Sequence, residues 1–303
     1  MAARAVTKKR KAKRKASAAM PAAMMTVVDV PRAQLPNVDV RTTGAVPRIL
    51  NCLPSRETAS DWRIDNAVDS GMLRAAAPIP VKKDLREPWW KIGDQGETGS
   101  CVGWACADSV LRWHFVKAGR IGQSEMLSVR FIWMAAKETD EFTSQPSTFI
   151  ETDGTSLKSA LDIARKYGCV NDKDLPFGSG KLYPGEPETF YALASQLKIA
   201  SYVNLNRNPT SWRRWLATKG PILTRLNCDN VWMNAKATGG TLQQYDPMSA
   251  HGGHAVALVG YDQNMFIVRN SWGTDIWGDK GFAYASNAYA AAAFTEAYGV
   301  HVT

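Results

Sequence analysis

The chain has 303 residues, a formal net charge of +9 at pH 7, 45% hydrophobic residues and 21% charged residues. That length suffices for one sizeable core or for two lobes sharing a cleft, and the balance excludes disordered, fibrous and collagen-like classes. No run of about 18 uncharged apolar residues occurs, so the sequence predicts no membrane span.

The positive charge is not spread evenly. Arg4, Lys8, Lys9, Arg10, Lys11, Lys13, Arg14 and Lys15 supply most of the excess, with no acid among the first twenty residues. The remainder is close to neutral, so only this tail should attract an acidic partner or a nucleic acid. Residues 1–45 are rich in Ala, Lys, Arg, Pro and Met without sustained period, which predicts a disordered basic arm or linker. Ser17, Pro21 and Thr26 interrupt the mildly apolar stretch Ala16–Val28, which argues against a secretory signal. Five cysteines (Cys52, Cys101, Cys106, Cys169 and Cys228) are odd in number and widely spaced. They favour a reducing, cytoplasmic compartment with at least one free thiol over a secreted disulfide framework. No Asn-x-Ser/Thr acceptor with x other than Pro occurs, which agrees.

Residues 46–80 carry Pro47, Pro54, Pro78 and Pro80 around one short helix expected from Thr58 to Val68, with Ser55 or Ser60 as cap. They read as a leader to the main domain, residues 81–303. The strongest helix follows Ser100: Val102, Ala105, Ser109, Val110 and Trp113 share one face. Ser100 is a suitable N-cap and Gly119 a suitable stop. Further helices are expected over Ser128–Glu138 and Ser156–Tyr167, so a helical lobe spans about residues 95–190. The period then changes. Strands are expected over Leu197–Leu205, Ile222–Leu226, His254–Tyr261, Met265–Arg269, Gly281–Ser286 and Phe294–Val302, with a short helix at Thr210–Thr218. A helical half followed by a β half, about 195–303, predicts an α+β fold with a cleft between the halves.

Cys101 stands at the start of the strongest helix, after Asp94-Gln95-Gly96-Glu97-Thr98-Gly99-Ser100. Unpaired amides and the helix dipole favour a thiolate there. Alone, Cys101 is equally compatible with a buried structural thiol. Two segments change that balance. In His251-Gly252-Gly253-His254-Ala255-Val256, a histidine stands at the mouth of an apolar strand. In Asn270-Ser271-Trp272-Gly273, an asparagine ends the next one. A hairpin turn at 262–264 would put His254 and Asn270 on adjacent strands, where the amide oxygen can fix the ring's tautomer and Trp272 can shield the bond from water.

These motifs resemble the papain and cathepsin family. Gln95 through Cys101 matches its run of Gln, five residues, then Cys, and Gly99-Ser100-Cys101 matches its Gly-Ser-Cys. His254-Ala255-Val256 and Asn270-Ser271-Trp272-Gly273 match its His and Asn motifs, followed by Trp277-Gly278 and Gly281-Phe282. The separations slightly exceed the family's roughly 130–150 residues. The resemblance covers about residues 80–303. It implies a papain-like two-lobed cysteine peptidase with Cys101 as nucleophile, His254 as general acid/base and Asn270 orienting it. Gln95 and the Cys101 backbone N–H would form the oxyanion hole. It implies a peptide or protein substrate beside Gly99, Ser100, Gly154, Thr155, Gly253 and Trp272. Gly154 reads otherwise as a simple turn glycine.

The chain also departs from the pattern. Val102 replaces the usual aromatic after the nucleophile, with Trp104 two places on. Thr98 stands where many members have a disulfide cysteine, and Gly253 where several carry Asp or Asn. Asp275 and Ile276 occupy a place that commonly holds one residue. These suggest a divergent, bacterial-type branch. No metal or other cofactor is expected: His251 and His254 flank two glycines with no third ligand at zinc-like spacing. Cys106 falls on another helix face than Cys101 and forms no redox pair with it. Trp89-Trp90 and Trp212–Trp215 read as core or cleft wall. Acyl or peptidyl transfer, deamidation, and a retired fold that binds through its basic arm remain as alternatives. Because residues 46–80 precede the catalytic region, they are also candidates for an inhibitory prosegment.

Overall fold

The computed structural model describes residues 39–43, 46–74, 78–139, 152–178 and 187–303. Of the expected basic arm or linker, residues 1–45, only residues 39–43 fall among the described residues, and these form a strand rather than irregular chain. Residues Pro36–Thr303 form one compact unit. A hairpin of β1 (Asp39–Thr43) and β2 (Val46–Leu50) comes first. A 3₁₀ turn at Thr58–Ser60 and helix α1 (Ile64–Asp69) follow, then the short strand β3 (Lys83–Asp84).

The one helix expected over Thr58–Val68 is therefore two pieces. Asp61 is extended between them (φ −64°, ψ 142°) because its buried carboxylate is pinned from outside the segment. It accepts from Asn204 Nδ2 and Tyr298 Oη, both at 3.0 Å, and pairs with Lys158 Nζ at 2.9 Å. The cap is also different: the Arg63 N–H donates to Asn66 Oδ1 (2.8 Å).

The Cys101 helix, α2, joins three stretches: Cys101–Gly103, Trp104–Leu111 and Arg112–Lys117. Its middle is wound as a π-helix, with the Arg112 N–H reaching back to the Ala107 carbonyl. Such widened turns cost hydrogen-bond geometry and cluster at functional places. Here the widening lets Trp90 Nε1 donate to the Asp108 carbonyl at 2.9 Å. Ser100 does not cap α2 through its side chain. Its hydroxyl instead shares a 2.6 Å hydrogen bond with Thr98 Oγ1. Gly119, at φ +68°, ends the helix as expected.

Helices α3 (Val129–Thr139) and α4 (Leu157–Lys166) match the predicted positions, capped by Ser128 and Ser156 hydroxyls that accept from the Phe131 and Ser159 amides. Helix α5 (Pro187–Ser195) precedes β4 (Ser201–Asn204), α6 (Pro209–Thr218) and β5 (Ile222–Asn227). Strand β4 is shorter than expected. The Leu197 amide closes a turn onto the Ala194 carbonyl and the Ile199 amide donates to the Ala164 carbonyl on α4, so neither donates to a strand ladder. Then come α7 (Asn230–Met233), β6 (Thr241–Leu242), β7 (Gly253–Tyr261), β8 (Met265–Arg269), β9 (Phe282–Ser286), α8 (Asn287–Ala293) and β10 (Phe294–His301). The sheet runs β4-β10-β5-β7-β8-β9-β6, antiparallel except for β6 on β9, with β3 also on β7. This is the expected α+β arrangement.

Strand β7 is buried at every residue, packed against both α2 and α6. An all-apolar run buried on both sides explains why its sequence does not alternate. Trp212 and Trp215 are fully buried and Trp90 nearly so, in keeping with their reading as core or cleft wall, and Trp232, Trp272 and Trp277 are fully buried with them. One polar cluster crosses this core. Asp108 on α2 pairs with Arg269 at the end of β8 (2.7 Å) and with Arg112 one turn on (3.1 Å), and all three are at most 4% exposed. The Arg269 guanidinium also donates to the Lys91 carbonyl (2.7 Å) and lies 4.7 Å from the Trp90 ring centroid.

Removing Asp108 would leave two buried guanidiniums facing each other. Asp108→Ala should therefore destabilise the fold by about 3–5 kcal/mol, read as a lowered urea midpoint. A loss below about 1 kcal/mol would show that the pair is not structurally required.

Candidate active site

The N-terminus of α2 presents Cys101 to the start of β7, where His254 sits. Both are 0% exposed. Strand β8 pairs antiparallel with β7, and the chain turns at 262–264 with the Asp262 N–H on the Met265 carbonyl (2.9 Å). Asn270 therefore leaves β8 alongside His254, and its Oδ1 lies 2.7 Å from His254 Nε2.

The proton positions follow from donors that cannot be reversed. The Ser271 backbone N–H can only donate, and it donates to Asn270 Oδ1 at 2.8 Å. That amide oxygen is therefore the atom facing the imidazole, and it accepts from Nε2–H. His254 Nδ1 is buried with no close hydrogen-bond partner. With Nε2 taken by Asn270, it is the ring nitrogen left to serve the Cys101 thiolate, which His254 stabilises. Trp272 covers the ring, with centroids 4.8 Å apart, and Trp232 approaches edge-on at 5.7 Å. Both exclude water from the His254–Asn270 bond.

Gln95 is held by the same logic. Trp272 Nε1–H, a donor only, reaches Gln95 Oε1 at 3.2 Å, and the Ser271 hydroxyl donates to it at 2.9 Å. The Gln95 amide nitrogen must then point the other way, where one hydrogen bonds the Thr98 carbonyl (3.0 Å) and one remains to offer. The backbone repeats the tie through Gln95 N–H on the Ser271 carbonyl (2.9 Å). The sequence motifs around Gln95 and Asn270 are thus stitched to each other, with Trp272 buried between them as a wall rather than an open face.

The thiol of Cys101 titrates well below its ordinary value. A hydrogen bond from the Cys52 thiol and one from His254 stabilise the thiolate, and the imidazolium charge adds to them against the cost of burial. A thiolate at a helix N-terminus beside an oriented imidazole is a nucleophile with its proton donor in place. Cys106, by contrast, is pushed up to about 12 by burial, and Cys169 is raised likewise.

The segment after β2, part of the leader expected to cover the cleft, runs through this site along a path the sequence did not specify. The Cys52 N–H donates to the Gly253 carbonyl (2.9 Å) and the Leu53 N–H to the Thr155 carbonyl (3.0 Å). Asn51 Nδ2 donates to the Thr152 carbonyl, and Arg225 Nε reaches the Cys52 carbonyl at 2.9 Å. A side chain at Gly99 or Gly154 would strike Asn51, one at Gly252 would strike Leu50, and one at Gly253 would strike Cys52 and Arg225. The glycines predicted to face a substrate therefore face this strap. Arg48, fully buried, binds Asp94 Oδ1 (2.7 Å) and the Gly96 carbonyl (2.9 Å), bracing the Gln95 loop. Ser100 and Thr155 are both buried, Thr155 against the strap through its carbonyl. His251 turns away to Asn230 Oδ1 (3.2 Å). Arg48, Asn51, Cys52 and Arg225 escaped the sequence reading. The cluster of small residues at 99, 154, 252 and 253 was the available signal.

Residue-resolved iodoacetamide labelling against pH tests the electrostatics. Labelling at Cys101 should persist below the ordinary thiol range, while Cys106 stays unmodified. A Cys101 profile that follows an ordinary thiol contradicts the geometry.

A family model described as papain family cysteine protease matches residues 79–299. Cathepsin F of Mus musculus is 34% identical over 231 residues, which cover 70% of this chain and 45% of that protein. The cathepsin B-like CP3 of Giardia intestinalis is 27% identical over 231 residues, covering 71% of this chain and 72% of that one. The chain thus spans less than half the length of cathepsin F, and likewise of the Theileria parva cysteine proteinase it matches. The crystal structure of xylellain, a cysteine protease from Xylella fastidiosa, shares the fold with a TM-score of 0.67 at 21% identity, over 84% of this chain and 96% of that one. No helix among the described residues is long and apolar enough to cross a membrane. The chain belongs to the papain family of cysteine proteases.

Proposed function

We propose that the chain is a peptidase that cleaves peptide bonds through a thioester on Cys101. The observation that carries this reading is the proton order Asn270 Oδ1···H–Nε2 of His254, with Nδ1 toward the Cys101 sulfur. Cys101 attacks the scissile carbonyl carbon, and the developing oxyanion meets the Cys101 N–H and the free Gln95 amide hydrogen. The imidazolium passes its Nδ1 proton to the leaving amine, which departs and leaves the thioester. His254 then takes a proton from water, the hydroxide adds to the thioester carbonyl, and the acid leaves as the thiolate re-forms. Asn270 keeps the ring in the tautomer that each step needs.

The described state is latent: residues 50–53 occupy the groove that a peptide would need, which supports a prosegment-like role for the leader. Peptide access requires this strap to lift. The unbridged cysteines support a reducing compartment. The basic arm is proposed to dock on an acidic partner or nucleic acid through its uninterrupted charge.

A labelled-peptide library, with wild type beside Cys101→Ala and Gln95→Ala, tests the reaction. Wild type should cleave a defined subset of peptides, Cys101→Ala none, and Gln95→Ala the same subset with kcat lower by roughly 10²–10³-fold. Cleavage by Cys101→Ala would sink the mechanism.

A further inference from the structure

One nucleophilic group at the site has no part in this chemistry. Cys52 lies in the strap, 2% exposed. Its own N–H and carbonyl are both taken, by the Gly253 carbonyl and by Arg225 Nε at 2.9 Å each. Arg225 is in turn braced by Asn227 Oδ1 (3.0 Å) and Thr295 Oγ1 (2.9 Å). The strap sets Cys52 between the two segments of the proposed site: a side chain at Gly99, two residues before Cys101, would strike Asn51, the neighbour of Cys52, and one at Gly253, beside His254, would strike the Cys52 carbonyl. The two thiols share one buried cluster and interact with each other, while Cys52 Sγ also lies 3.8 Å from the Leu53 carbonyl. Both are free cysteines. The bare Cα of Gly253 is what lets the strap approach this closely, because a side chain there would collide with the Cys52 carbonyl.

We propose that Cys52 and Cys101 form a reversible disulfide, a modification site that seals the strap over the nucleophile. This rests on reading Cys101 as the reactive thiol, and it gives that site a redox control. The oxidant is a hydroperoxide. When the strap opens transiently, the Cys101 thiolate attacks a peroxide oxygen, the O–O bond breaks and hydroxide leaves, giving a sulfenic acid. On reclosure the Cys52 sulfur attacks the Cys101 sulfur, the S–O bond breaks, and the thiol proton leaves with the hydroxyl as water. Two thiols lose two electrons and two protons, and hydrogen peroxide becomes two waters. A dithiol reductant reverses the bond and becomes a cyclic disulfide itself. The two partners suit the sequence of steps. Burial keeps Cys52 protonated, with the Cys101 charge adding to that effect, while Cys101 is the thiolate that meets the oxidant. Capture by Cys52 also spares Cys101 from irreversible oxidation.

The test uses the full chain as wild type, Cys52→Ser and Cys52→Ala, with folding checked by circular dichroism. Each is exposed to graded hydrogen peroxide and then mapped without reduction, and Cys101 is labelled with iodoacetamide before and after dithiothreitol. In wild type a linked Cys52–Cys101 peptide should appear while Cys101 labelling falls by roughly tenfold, and dithiothreitol should restore it. In both variants Cys101 should pass to sulfinic acid, which dithiothreitol does not restore. The proposal is overturned if wild type loses Cys101 labelling without a linked peptide, or if recovery is equal in wild type and variants. Neither readout uses peptide turnover, so an enzyme that cleaves nothing would still report on the disulfide.

Discussion

Asp108 and Arg269 meet inside the protein, 2.7 Å apart, with almost no solvent on either. Asp108 belongs to the helix that begins at Cys101, and Arg269 is the residue before Asn270. Cys101 and Asn270 of the proposed triad are therefore tied to the same buried contact by short pieces of rigid backbone. Charge burial of this kind is poor evidence for net stability, since two charges must leave water. It is a strong positional constraint, because the desolvated partners have no alternative to one another. The π-wound middle of the helix and the Trp90 ring under Arg269 fit the same account: both adjust the helix around a contact that cannot move. His254 is placed independently, by a strand buried on both sides.

A second set of ties fixes proton positions rather than distances. Ser271 N–H on Asn270 Oδ1 and Trp272 N–H on Gln95 Oε1 are both irreversible donors. Three consecutive residues, Asn270, Ser271 and Trp272, thus set the tautomer of the base and the orientation of the amide proposed to bind the oxyanion. The strap adds to this from the other side, since Arg48 holds the Gln95 loop while Asn51 and Cys52 lie against the glycines. The same segment that blocks the groove also supports its geometry. In this reading a released strap would leave the Gln95 loop less braced, which makes access and pre-organisation compete.

Much of the proposed site was legible because short motifs carry local geometry. The apolar run after His254 specifies a buried strand, and a three-residue turn returns the chain to Asn270. Helix ends were legible where the hydroxyl still accepts from the amide three residues on, as at Ser128 and Ser156. Ser100 misled because Thr98, two residues away, claims its hydroxyl. The leader was illegible for a different reason. Its helix breaks at Asp61 only because Asn204, Tyr298 and Lys158 converge on that carboxylate from distant parts of the chain. The path of residues 50–53 depends on matching glycines far away in sequence, and no periodicity within the segment encodes it. Asp108 gave no signal in the sequence, because its partner Arg269 lies across the core.

The most direct measurement of the central claim is the capture of the acyl group itself. Wild-type protein mixed rapidly with an activated peptide ester should show a burst of released alcohol and an intact-mass increase of one acyl group, mapped to Cys101 and absent from Cys101→Ala. A burst that survives in Cys101→Ala, or an acyl group mapped to another cysteine, would contradict the account.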